Sequence, residues 1–231
     1  MSARGDFGSL APVSSRVRQE VRGARLLMPL GWVLAAAGYY GPWIAHATAA
    51  LTLTGIDMAE FVKFIPAVQS GQLPVLRHLF YLPPLAVVLG IAFLIHAPRL
   101  RYPLAVRLAA LVLAVPVSLQ LLPPAWSPTS LMTAEFRLQA VALGVSWIAL
   151  AGSWLLARLP AGLLAGIGAL LALAAAGAAT WQLWLVKPEI DQLYGSVPPV
   201  GWGFYACVVG LVVMAAAASL LAAAGNRRRK G

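Results

Sequence analysis

Acidic residues are scarce in this chain: seven Asp and Glu stand against 17 Lys and Arg, leaving a formal net charge of +10. In a water-soluble domain such an imbalance would point toward nucleic acid. Here the basic residues flank apolar runs, the placement that membrane topology uses, so nucleic acid is not an expected partner. Cysteine is nearly missing too. Cys207 alone permits neither an intrachain disulfide nor a cysteine-based zinc site, and its apolar surroundings mark it as an inert buried thiol. Charge is also missing from the middle of every long apolar run, where an ionisable residue would mark an ion path or a proton relay. Proton-driven transport is therefore not expected. The chain has no GxSxG, HExxH or GxxxxGK[ST] sequence, so no nucleophile elbow, metalloprotease helix or phosphate loop is predicted, and no catalytic residue or cofactor is assigned.

What the chain has is apolar length: 61% of its residues are hydrophobic, 10% are charged, and the mean hydropathy is +0.81. That places it in a lipid bilayer, whose hydrocarbon core of about 30 Å takes roughly 20 apolar residues as a helix. Six windows approach that length, roughly 26–46, 76–96, 103–122, 138–157, 160–186 and 200–224. The expected fold is all-α: a polytopic integral membrane protein of six transmembrane helices arranged as three hairpins, with a short amphipathic helix in the first outer loop. Residues 1–25 are read as a basic cytoplasmic tail with a short helix near 15–25, residues 26–224 as the membrane domain, and residues 225–231 as a basic cytoplasmic C-terminus. Ala45-His46-Ala47 has the small-residue form of a signal cleavage site, but the apolar run before it is too long and too aromatic, so an uncleaved anchor is expected.

Orientation follows from the basic residues. Arg4, Arg16, Arg18, Arg22, Arg25, Arg99, Arg101, Arg107, Arg158, Arg227, Arg228, Arg229 and Lys230 fall on one side of the six spans, whereas the other side holds Lys63, Arg77, Arg137 and Lys187. Both termini are thus expected in the cytoplasm of a multi-pass cell-membrane protein, with the longer loops 47–75, 123–137 and 187–199 outside.

Polar variety concentrates in those outer loops. In LTLTGIDMAEFVKFIP, residues 51–66, Thr54 and Asp57 have the spacing of a helix cap, and Asp57, Glu60 and Lys63 recur on one helical side, with Phe61, Ile65 and Val68 on another. Pro66 ends the pattern after about three turns, which suits a short interfacial lid. MAEFVKF at 58–64 is echoed by MTAEFRL at 132–138, although the likeness extends no further and duplicated halves are not expected.

The candidate outer binding surface comprises Asp57, Glu60, Lys63, Arg77, His78, Trp126, Glu135 and Arg137. His46 and His78 match no metal-ligand spacing with the nearby acids, so no metal is expected. Tyr39, Tyr40, Trp43, Phe80, Tyr81, Trp126, Trp181, Trp184, Trp202, Phe204 and Tyr205 cluster toward the outer side, as an interfacial belt or as the wall of a pocket. Inside the spans, Ser118, Gln120, Ser146, Ser153, Thr180 and Gln182 are expected to hydrogen-bond between helices, and Gly162 and Gly166 form a GxxxG for close packing. The function expected on these grounds is that of a non-catalytic structural or accessory subunit of a membrane complex. A component that binds or transports a small molecule in an outward-facing pocket is the alternative. The expected partners are the lipid bilayer, a membrane protein and a small-molecule ligand.

Overall fold

The computed structural model describes residues 11–46, 48, 51–123 and 126–230. Residues 1–10 of the basic tail, Ala47 of the small-residue site and Pro124 lie outside the described residues. The protein is mostly helical, at 76%. In chain order the elements are α1 (Ala11–Tyr40), β1 (Pro42–Ile44), β2 (Leu53–Thr54), α2 (Gly55–Phe61), α3 (Pro66–Gln69), α4 (Leu82–Leu94), α5 (Leu104–Leu119), α6 (Pro128–Leu131), α7 (Arg137–Ala151), α8 (Ser153–Leu156), α9 (Ala161–Tyr194) and α10 (Trp202–Lys230). Short 3₁₀ turns at Val62–Phe64 and Arg77–Tyr81 lead out of α2 and into α4.

Three helical stretches are long and apolar enough to cross a membrane: Arg77–Leu94, Ala161–Tyr194 and Trp202–Gly225. The other three expected spans carry helix that is too short or too polar. In α1 the apolar part, Leu26 to Tyr40, is only about 22 Å long at about 1.5 Å per residue, because the chain leaves the helix at Gly41 to form β1. The 16 residues of α5 reach about 24 Å, between Pro103 and the turn that begins at Gln120. The fourth window is divided at Gly152, which caps α7 and opens α8.

Apolar periodicity explains how α1 packs. Ala24, Met28, Trp32, Ala35 and Tyr39 recur every three or four residues and are all buried. Alongside this stripe, α10 runs antiparallel to α1: Gly23 lies by Leu220, Gly31 by Met214 and Gly38 by Gly203. A Cβ on Gly38 would sit 2.6 Å from the Gly203 carbonyl oxygen, and one on Gly210 would sit 2.7 Å from the Ala35 Cα. Backbone meets backbone here, which is how small residues hold helices together in lipid. The expected GxxxG of α9 does not do this. Gly162 makes ordinary contact with Ala222, but nothing lies within 4 Å of a Cβ on Gly166.

Helices run across three of the expected divisions. The basic segment near 15–25 is continuous with the first span as one helix, and α10 runs on through the region read as a separate C-terminus. Likewise α9 does not stop at Val186. It includes Pro188 and continues to Tyr194, supported by the ion pair of Lys187 with Asp191 one turn on, and ends at Gly195, whose φ of 61° gives the left-handed cap. The all-α expectation also omits a small antiparallel ribbon. Pro42 pairs with Thr54 and Ile44 with Leu53, while Ile44 also bridges to Val200.

The polar groups inside the helices divide in their use. Trp147 Nε1 donates to Ser118 Oγ at 3.1 Å, Gln120 Nε2 donates to the Tyr40 hydroxyl at 2.9 Å, and Gln182 Oε1 accepts the Leu76 amide at 3.1 Å. Ser146 and Thr180 instead donate to carbonyls four residues back in their own helices.

Candidate functional site

Local sequence builds the first outer loop as expected at its start. The Asp57 carboxylate accepts the Thr54 amide at 2.9 Å and the Thr54 hydroxyl at 2.7 Å, fixing the first turn of α2. The inward face differs from the expected one. Met58, Ala59, Val62 and Ile65 are buried, whereas Phe64 is exposed and Phe61 and Val68 are half-buried. The segment is thus seated on protein. Beneath it lies Trp43, whose ring pairs edge-on with Tyr39 at 6.1 Å, Phe80 at 6.2 Å and Phe204 at 5.4 Å, and whose Nε1 donates to the Gly38 carbonyl at 3.1 Å. Gly55 allows the approach, since a Cβ there would lie 2.8 Å from the indole. The outer aromatics therefore form two sets: Tyr39, Trp43, Phe80 and Phe204 are buried together, while Trp126, Trp181, Trp184, Trp202 and Tyr205 are exposed.

On top of this seat, Glu60, Lys63, Arg77 and Glu135 meet. Lys63 Nζ lies 2.5 Å from Glu60 Oε2 and 3.2 Å from Glu135 Oε1. Arg77 Nη1 reaches Glu135 Oε1 at 2.9 Å, Arg77 Nη2 donates to the Glu135 carbonyl at 2.8 Å, and Glu60 Oε1 lies 3.9 Å from the guanidinium. The Phe136 ring sits under both cations, 5.7 Å from Lys63 Nζ and 5.5 Å from Arg77 Cζ. The repeated Ala-Glu-Phe segments at 59–61 and 134–136 thus supply carboxylates to the same two cations.

Two acids and two bases make the cluster neutral, and it ties the first outer loop to the second and to the entry of α4. Arg77 is its anchor, with a side chain only 14% exposed, while Glu135 is 49% exposed. Hydrogen bonding from Lys63 is the largest influence on the Glu135 carboxyl; burial opposes it, and hydrogen bonding from Arg77 joins it in holding the group below the usual glutamate range.

The structure leaves four expected members out of the cluster. Asp57 is occupied by the cap, His78 stands beside it with a buried Nδ1 that has no partner, Trp126 is exposed, and Arg137 is exposed with no ion pair among the described residues. His46 accepts the Thr48 amide at 3.0 Å through Nδ1 and packs edge-on against Tyr194. Among the described residues no group of three or more His, Cys, Asp and Glu is placed to hold a metal.

Sequence reasoning missed Gln139. It is 2% exposed in the first turns of α7, beside the Tyr81 hydroxyl, and neither amide atom reaches hydrogen-bond geometry. Tyr81 in turn donates to Glu60 Oε1 at 3.1 Å, which extends the polar cluster downward from Glu60 to Gln139. No sequence signal marks Gln139, because glutamine near a helix start is ordinarily solvated. No protein family, no curated protein and no solved structure matches the chain.

Proposed function

We propose that this is a non-catalytic integral membrane protein of the cell membrane, crossing it six times with both termini in the cytoplasm, and serving as a structural or accessory subunit of a membrane complex. The observation that carries this reading is the neutral outer cluster. The side chains with most scope for chemistry outside, Glu60, Lys63, Arg77 and Glu135, are spent on one another, closing a lid over a packed aromatic seat. What remains available is shape. A groove of about 610 Å³ runs along α9 and α10, with Gly177 set among Leu173, Trp181 and Trp184, a form suited to an apolar helix of a partner subunit. The shorter apolar stretches of α1, α5 and α7 would complete their crossings with local thinning of the bilayer.

Purification of the full chain in mild detergent, followed by mass spectrometry, tests the reading. A protein recovered at fixed stoichiometry, and lost on Gly177→Leu, supports it; nothing lies within 4 Å of a Cβ at that position, so the substitution fills the groove without disturbing the fold. A bare monomer from the wild-type chain overturns it.

A second reading rests on Gln139. Its buried amide, beside the Tyr81 hydroxyl that donates to Glu60, has a donor and an acceptor outside hydrogen-bond geometry that a small hydrogen-bonding solute would engage. A small molecule retained by the wild-type chain and lost on Gln139→Leu would favour this over the subunit reading.

A further inference from the structure

The opposite end of the helices carries a second cluster, of one sign only. We propose that it is a binding site for a phosphate-bearing anion, held by Arg99 where two pockets adjoin. One pocket, about 490 Å³, takes Arg18 from α1 and Arg99 and Arg101 from the link between α4 and α5. The other, about 530 Å³, takes Arg99 again with Arg158 from the link between α8 and α9. Residues far apart in sequence thus bring four arginines to the walls of two pockets that share Arg99. The positive-inside tendency accounts for cations on this side of the chain, but it does not require them to converge on shared cavities.

Three further observations point to a ligand. Arg99 Nη1 is buried and has no hydrogen-bond acceptor, an arrangement that is costly for a charged donor left unpaired. The space for that guanidinium is provided by Gly225 of α10, where a Cβ would come within 2.8 Å of Nη1. Arg101 has a φ of 45°, a left-handed conformation that a residue with a side chain adopts at a cost, and such strain concentrates at ligand sites. Among the described residues the acid at this end is Glu20, whose Oε1 is paired with Arg227 at 3.3 Å rather than with any of the four arginines. None of Arg18, Arg99, Arg101 and Arg158 makes an ion pair among the described residues.

Arginine suits this task because its planar fork meets two oxygens of a phosphate at once. At helix ends level with the headgroups, the phosphate could come from an acidic phospholipid or from a free phosphate in the cytoplasm, and both present the same oxygens. The inference is independent of the outer cluster and of the subunit reading built on it.

The test places the full chain in nanodiscs. Retention of phosphatidylglycerol is read by native mass spectrometry, and the shift in unfolding temperature on adding inorganic phosphate is read in pure phosphatidylcholine. Expected is retention of phosphatidylglycerol above the phosphatidylcholine background, or stabilisation by phosphate, with either response reduced about tenfold by Arg99→Gln. The first response assigns the site to a headgroup and the second to a free anion. Because Arg99→Gln can also disturb the fold, the exposed rim residues provide Arg18→Gln and Arg158→Gln, each expected to weaken the response about threefold. Arg22→Gln removes the same charge from the same end of α1 but lines neither pocket, and is expected to leave the response unchanged. No response in the wild-type chain, or an equal loss with Arg22→Gln, overturns the proposal.

Discussion

Arg77 holds Glu135 at two points, carboxylate and backbone carbonyl, at 2.9 and 2.8 Å. The second bond matters for how the outer cluster responds to mutation, because it survives any change to the Glu135 side chain. It makes Arg77 the member whose loss opens the lid.

Arg77→Ala is accordingly expected to lower the unfolding free energy by about 2 kcal/mol, since a largely buried donor leaves its acceptors unpaired. Glu135→Ala should cost less than about 1 kcal/mol, because that side chain is half in solvent. Thermal unfolding in detergent, with hydrogen exchange across residues 55–69, measures both. Equal effects, or a larger effect from Glu135, would show that the backbone bond does not anchor the lid.

Acid should release the same contact. Hydrogen bonding from Lys63 and Arg77 depresses the folded carboxyl of Glu135, so its contribution is present above the ordinary glutamate value near about 4.3 and is lost as pH falls through the lower folded value. Amide exchange in 55–69, taken relative to the intrinsic rate at each pH, is therefore expected to accelerate below about pH 4 in the wild-type chain. In Glu135→Gln the part of that acceleration due to this carboxyl should disappear; an unchanged profile would remove Glu135 from the mechanism.

The glycines of α1 and α10 predict a sharp contrast. Gly38→Leu and Gly210→Leu force a side chain into facing backbone and should abolish recovery of folded protein by size-exclusion chromatography. Gly166→Ala meets nothing within 4 Å and should be tolerated, with a gain of up to about 1 kcal/mol from helix propensity. A folded Gly38→Leu protein would mean that the seam is not as tight as described.

Topology has a direct measurement. Reporter fusions at Gly71, Pro128 and Gly195 are expected to report outside and one at Gly231 inside. A reversal at any of these positions rejects six crossings.

Features set by neighbours in sequence were legible without a structure. Thr54 and Asp57 make their cap three residues apart, and hydropathy alone marked the stretches that became the long apolar helices α9 and α10. The outer cluster was legible only as a set of candidates. Glu60 and Glu135 share Lys63 because the second outer loop folds back over the first, a consequence of packing that no local pattern carries. Boundaries failed where hydropathy and helicity part company: polarity rises at Lys187, but its pairing with Asp191 carries the helix onward. The ribbon of Pro42–Ile44 was hidden because strands so short leave no alternation to read.

The glycine seam also bears on how the protein is made. During synthesis α1 emerges early, with Gly31 and Gly38 bare on the face that α10 will cover, and their partner surface does not exist until the chain beyond Trp202 has been translated. Until then the exposed backbone of α1 is open to any other small-residue helix in the membrane.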